Sequence, residues 1–241
     1  MMEEMFVQVS GCKLYAKLLG ENAGIPTVIM DAGYGDCSKT WDSIIGEIST
    51  FANVFVYDRA GLGKSEPSSN PRTSKEMVKE LKELLVKANI TPPYIVVGHS
   101  FGGVTMRMFA SEYRNDVCGL VLVDSTPGDY RERFLPTMSQ EFQQAYNNQF
   151  VAEGNYDEFM ESLKQVKEAR CSLHVPLIVV SAGKKTHYSK VSQKLWNEMQ
   201  AEILDISMDA ELVIAENSGH YIQNDEPEIV ISAIKKLVER V

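Results

Sequence analysis

The sequence predicts an α/β protein: a mostly parallel, doubly wound sheet carrying a small helical insertion. Three observations support this. Short apolar, largely β-branched runs recur along the chain at residues 54–57 (VFVY), 94–97 (YIVV), 120–123 (LVLV), 177–180 (LIVV) and 212–215 (LVIA), with 27–30 (TVIM) as a sixth. Strands that are apolar at every position belong in a parallel sheet covered by helices on both faces. Helical stretches lie between several of these runs, and the alternation breaks in one place, between about residues 126 and 174.

In chain order, the first 20 residues differ from the rest. Val7 and Val9, then Leu14, Ala16 and Leu18, alternate around Ser10-Gly11, which predicts an antiparallel hairpin. Residues 73–89 are the clearest helix, with Met77, Leu81, Leu84, Leu85 and Ala88 on one face. Thr73 and Glu76 stand at capping-box spacing at its start, and Thr91-Pro92-Pro93 stops it. Residues 227–240 form a second helix, with Pro227 at the first helical position and Val230, Ala233, Ile234, Leu237 and Val238 on its apolar face. Within 126–174, short helices are expected near 139–152 and 156–170, the second capped by Asn155 and Glu158. This insertion of 49 residues is too long for a plain loop and reads as a helical cap over the sheet's C-terminal edge. The expected organisation is a core of residues 1–125 and 175–241 and a cap of residues 126–174.

Composition narrows the function. The length of 241 residues allows one large domain or two small ones. A net charge of −9 argues against a nucleic-acid binder, which needs a basic face. The longest unbroken apolar run is four residues, far short of the roughly 20 that span a membrane. The N-terminus carries two acids and no apolar h-region, so no signal peptide is expected. Cys12, Cys37, Cys118 and Cys171 are scattered without a C-x-x-C pair and read as reduced thiols, which suits a cytoplasmic protein.

The sharpest motif is Gly98-His99-Ser100-Phe101-Gly102, a G-x-S-x-G directly after YIVV and before the helix-like GVTMRMFASEY. A sharp strand-to-helix turn exposes the serine oxygen and brings the flanking positions together, so only small residues fit at 98 and 102. The helix that follows aims its N–H groups and dipole at the same place. A serine hydroxyl needs a base. Of four histidines, His99 lies inside the turn and His174 just before a strand, while His187 sits in a Lys-rich loop. His220 follows the last strand, at the same sheet edge as Ser100, and is the candidate base. Gly61-Leu62-Gly63-Lys64-Ser65 resembles a phosphate loop, but Asp58 stands where its first glycine should be. No H-E-x-x-H or Cys/His pair at ligand spacing points to a metal, and no cofactor is expected.

With these residues in place, the chain resembles the α/β-hydrolase superfamily over nearly its whole length. The matching stretches are DAGYGDCSKTW, YDRAGLGKSEP, GHSFGG, LVLVDSTP and ENSGHYIQNDEPE, in the family's order. The set looks most like small esterases of the pimeloyl-ester-carboxylesterase-like group. The resemblance implies a nucleophile, a base and an acid. The acid usually follows the strand before the histidine's own, yet that strand here runs on as Ala182-Gly183-Lys184-Lys185-Thr186-His187, without one. Some members carry it one strand after the nucleophile, which here is Asp124; Asp205 and Asp209 are the alternatives. The resemblance further implies an oxyanion hole from the N–H groups of Phe101 and Tyr34, with Ala32-Gly33 replacing the family's usual His-Gly. Asp58 and Arg59 are expected to form a structural turn.

The activity this implies is hydrolysis of a small carboxylic ester, thioester or lactone through Ser100, His220 and Asp124. Hydroxynitrile-lyase or perhydrolase chemistry is the alternative on the same fold, with Lys184 and Lys185 following the right strand for a lyase. A ligand-binding receptor with a retained triad is the third. The epoxide-hydrolase and haloalkane-dehalogenase branches use an Asp nucleophile and are disfavoured. Phe134, Leu135, Met138, Phe142, Tyr146, Phe150, Tyr156 and Phe159 are candidates for an apolar pocket or for plain packing of the cap onto the core.

Overall fold

In the computed structural model, which describes residues 2–21, 24–169 and 173–241, eight strands form one sheet in the order β1-β2-β4-β3-β5-β6-β7-β8. The strands are β1 (Met2–Val9), β2 (Cys12–Leu19), β3 (Thr27–Asp31), β4 (Asn53–Tyr57), β5 (Tyr94–His99), β6 (Val117–Val123), β7 (Leu177–Ala182) and β8 (Ala210–Ala215). The first two make the expected hairpin, with Val9 opposite Cys12 and both turn residues, Ser10 and Gly11, at positive φ. β2 runs antiparallel to both its neighbours, β1 and β4, and β3 to β8 are mutually parallel.

Every residue of β3, β5 and β7 is buried, because helices cover both faces. The pleat sorts their side chains between two apolar layers. Val96, Leu120, Leu122 and Val179 join Leu81, Leu84 and Phe109 on one side. Ile95, Val97, Val121, Val123 and Val180 join Ile44, Val230, Ile234 and Leu237 on the other. The covering helices are α1 (Ile45–Ile48), α2 (Ser74–Lys87), α3 (Phe101–Glu112), α6 (Lys190–Glu202), the short α7 (Ile222–Asp225) and α8 (Pro227–Val238). Pro227 opens α8 as its sequence position implied.

Between β6 and β7 the chain makes a π-helical turn, Tyr130–Phe134, then α4 (Gln140–Asn148) and α5 (Tyr156–Glu168). The end of α5 anticipated at 170 lies outside the described residues, as does Cys171; Cys12, Cys37 and Cys118 are free thiols. The Asn155–Glu158 capping box is formed. The box at Thr73–Glu76 is not, for Thr73 makes no capping bond. The reason is tertiary: α5 supplies the acceptors instead. Ser162 Oγ accepts the Ser74 N–H at 2.9 Å, and Gln165 Oε1 accepts the Lys75 N–H at 2.9 Å.

The chain steps from β3 outward to β4 and then back across to β5, so strand order reverses beside β3. In open α/β sheets the crevice at such a reversal, beyond the strands' C-terminal ends, is where ligands bind. The loops after β3, β5, β6, β7 and β8 all emerge at that edge.

Candidate active site

The site begins at the β5–α3 turn. Ser100 holds φ 54° and ψ −118°, a conformation that L-residues avoid and that surrounding structure must impose. Its N–H donates to the Val123 carbonyl at 3.0 Å, and its own carbonyl accepts the Thr126 N–H at 3.0 Å. A methyl group at Gly98 would collide with the Gly102 carbonyl, and one at Gly102 with the carbonyls of Asp31 and Ala32. Both glycines are therefore steric necessities of the turn. Phe101 is the first residue of α3, so its N–H belongs to the open first turn of the helix.

Asp124 follows β6 with φ 44°, its N–H bonded to the Val180 carbonyl at 2.7 Å. Its carboxylate is fully buried and collects four donors. Oδ2 takes His220 Nδ1 at 2.6 Å and Lys185 Nζ at 2.5 Å. Oδ1 takes Trp196 Nε1 at 2.7 Å and the Ala182 N–H at 3.1 Å. Burial alone would raise its pKa, but the Lys185 charge and the bond from His220 outweigh it and hold the carboxyl well below the usual range. An ionised carboxylate only accepts, so the contact is an Nδ1–H of His220 donated to Oδ2. Among the acids weighed for this place, Asp124 is the one the fold pairs with His220. Asp209 instead pairs with Arg240 at the surface, and Asp205 lies in the helical turn Ile203–Ile206 after α6.

His99 has a part that its position inside the turn did not announce. It is fully buried, and its Nε2 donates to the His220 backbone carbonyl at 2.9 Å. Burial, aided by the neighbouring His220, pushes its pKa down to about 3, so it is a neutral donor that fixes the loop carrying His220. Of the remaining histidines, His174 and His187 are exposed.

The loop after β3 is set by Arg59, a residue expected only to shape its own turn. The guanidinium donates to the carbonyls of Ala32 at 2.8 Å and Gly33 at 2.7 Å, to Asp31 Oδ1 at 2.5 Å, and to both oxygens of Glu153. Burial opposes its charge, but the two carboxylates more than offset that and hold it protonated. Glu153 comes from the segment between α4 and α5, so one side chain ties that segment to the Gly33–Tyr34 loop. The Tyr34 hydroxyl makes a second tie, donating to the Gly154 carbonyl at 2.9 Å and accepting its N–H at 3.0 Å. Gly33 packs against Ser100 and His99, within 3.4 Å of Ser100 Cβ for a methyl placed there. Asp58 keeps the structural part expected of it, accepting the N–H groups of Ser38 and Lys64 at 2.8 Å each.

The candidate pocket residues of 126–174 form two groups, with Tyr146 packed against both. Phe150 and Phe159 pack with Tyr34 and Phe101 over the serine turn. Phe134, Leu135 and Met138 pack with Trp196 and Met199 of α6, and Tyr156 is exposed. A cavity of about 480 Å³ lies elsewhere, walled by Arg107, Asp129, Lys167 and Glu202, and neither Ser100 nor His220 lines it. Among the described residues no group of three or more His, Cys, Asp or Glu side chains could hold a metal ion, and no helix is long and apolar enough to cross a membrane.

Comparison with known proteins agrees with this architecture. The family model described as alpha/beta hydrolase fold matches residues 26–156. The uncharacterized protein YqjL of Bacillus subtilis (strain 168) is 36% identical over 228 residues, covering 94% of this chain and 88% of that protein. The chain therefore belongs to the α/β-hydrolase family. Solved structures of low identity share the fold. A thermophilic esterase from Thermogutta terrifontis superposes with a TM-score of 0.71 at 17% identity, covering 99% of this chain and 98% of that one. The haloalkane dehalogenase DbeA from Bradyrhizobium elkani gives 0.73 at 16%, covering 99% and 98%. One fold thus accommodates different chemistries, and the site has to discriminate between them.

Proposed function

We propose that the protein is a serine hydrolase of carboxylic esters, thioesters or lactones, working through an acyl-enzyme without a cofactor. The observation that carries this reading is the 2.6 Å contact between Asp124 Oδ2 and His220 Nδ1, on the same sheet edge as the strained Ser100. His220 Nε2 takes the Ser100 proton as Oγ attacks the substrate carbonyl. The developing oxyanion is held by the N–H groups of Phe101 and Tyr34. His220 returns its proton to the departing alkoxide or thiolate. Water, deprotonated by the same nitrogen, then releases the acid and restores Ser100. A serine at position 100 speaks against the dehalogenase route, which needs a carboxylate nucleophile.

The lyase alternative calls for a lysine free to act on substrate. Lys185, the lysine nearest His220's partner, is committed to Asp124, which speaks against that reading. We further propose that residues 126–174 act as a cap that selects the substrate, with Tyr34, Phe101, Phe150 and Phe159 favouring an apolar acyl or alcohol group. A panel of p-nitrophenyl esters graded by chain length tests both points. Ser100-dependent hydrolysis that changes with acyl length is expected. A panel left uncleaved by the folded protein, or cleaved equally by Ser100→Ala, contradicts the reading.

A further inference from the structure

The triad acid is shared with a cation that a Ser-His-Asp mechanism does not require. Lys185 follows β7, where the sequence carries no acid. Its side chain is 7% exposed, and its ammonium meets the same Asp124 oxygen that His220 uses. The ammonium lies 3.4 Å from the centre of the Trp196 ring and 4.9 Å from that of Tyr188, a setting that favours a cation. Trp196 in turn donates to the other Asp124 oxygen. The loop is pinned at both ends of its turn by Gln193 of α6, which accepts the Lys185 N–H and donates to the Ala182 carbonyl. Burial pulls the Lys185 pKa below its ordinary value, and the adjoining Asp124 carboxylate opposes that pull, so what charge the ammonium carries is aimed at one carboxylate.

Charge counting gives the consequence. In an ordinary triad a lone carboxylate faces the imidazole, and the pair becomes neutral when the imidazole takes the serine proton. Here an ionised Asp124 and a charged Lys185 are already neutral together, and protonating the half-exposed His220 leaves the cluster with one net positive charge. Among the other charged groups near His220, Asp225 accepts the Gly219 N–H through Oδ2 at 2.8 Å. His99, at the end of β5, is neutral, and Tyr221 is hydrogen-bonded through its hydroxyl to Asp36 on the loop after β3.

We infer that Lys185 is a positioning residue that acts through Asp124 to weaken His220 as a base, keeping the imidazole unprotonated, and the serine reactive, at lower pH than Asp124 alone would permit. This rests on the serine-hydrolase reading proposed above. Lys185 Nζ and His220 Nδ1 share one carboxylate oxygen, close enough for a positive charge on the lysine to disfavour protonation of the imidazole.

The test compares wild type with Lys185→Met, which keeps the stem's packing on Trp196, and with Lys185→Arg, which keeps the charge. The rate of Ser100 labelling by a fluorophosphonate is measured against pH, and the His220 titration is followed by NMR in histidine-labelled protein. Lys185→Met should move the acid limb of labelling and the His220 titration upward together by about 1–2 pH units, while Lys185→Arg stays at the wild-type position. A Met variant that melts lower or labels more slowly, but keeps both midpoints, reduces Lys185 to a loop anchor and overturns the inference. Wild type alone provides a further check if the variants fail to fold. In ¹⁵N-lysine spectra Lys185 should be a slowly exchanging ammonium across the acid limb, and a neutral amine there also overturns it. Absent Ser100 labelling in wild type would instead sink the hydrolase reading, and the NMR arms would still judge the lysine.

Discussion

Two buried charge clusters stand at the C-terminal edge of the sheet, and they differ in one respect that decides what each can do. In the first, Arg59 is enclosed by Asp31 and Glu153, with all three side chains at most 2% exposed. In the second, Asp124 is equally buried, but its partner His220 is 38% exposed. The first cluster has no titrating member in reach of solvent and can only hold backbone in place: the Ala32 and Gly33 carbonyls on one side, the segment carrying Glu153 on the other. The second ends in an imidazole that solvent can reach.

Substitutions can break that contrast at either end. The largest effect is expected at Asp124→Asn. Replacing the acceptor turns the His220 tautomer the wrong way, and ester turnover should fall by about 10⁴-fold. Steady-state rates on the best p-nitrophenyl ester check this; near-normal turnover would move the acid elsewhere. In the closed cluster, Arg59→Met leaves two carboxylates without their cation. Stability should drop by about 3–5 kcal/mol, the usual cost of breaking a buried pair, and would be read from denaturant midpoints. A change within error would mean that the guanidinium is dispensable to the loop.

Histidine 99 supplies the pH test. Its folded pKa is lowered to about 3 from an unfolded value of 6.5. Between those limits the unfolded chain binds a proton that the folded one refuses, so this residue's contribution to stability falls as pH falls below 6.5. By pH 4 the loss should be on the order of 3 kcal/mol. His99→Gln, which has no such proton to refuse, should lose stability less steeply over the same range. Parallel curves for the two proteins would refute the assignment. The smallest effect is expected at Ser162→Ala, which removes the acceptor at the start of α2. A loss of about 1 kcal/mol is expected, visible as a drop of a few degrees in Tm.

What could be read in advance follows the range of the interactions. The strands were legible because apolar runs report burial on both faces, and the Gly98–Gly102 turn because its steric demand is local. Asp124 and His220 stand 96 residues apart, yet each follows a strand of known order, so topology alone brought them to one edge. Arg59 and Glu153 gave no such signal. They are 94 residues apart, and nothing in the DRAGLGKS turn marks its arginine as the support of a different loop. The N-terminus of α2 misled for the same reason: Thr73 had the right type and spacing, but Ser162 and Gln165 of a distant helix took its place. Lys185 was noticed as a lysine near the site, but which oxygen it would meet depended on side-chain packing that no spacing encodes.

The central claim is that Ser100 is a nucleophile activated by His220. Incubating the folded protein with a fluorophosphonate and locating the adduct by peptide mass spectrometry tests it most directly. One phosphonyl group on Ser100 is expected, absent in Ser100→Ala and strongly slowed in His220→Gln. An unmodified Ser100, or an adduct formed as fast without His220, would contradict it.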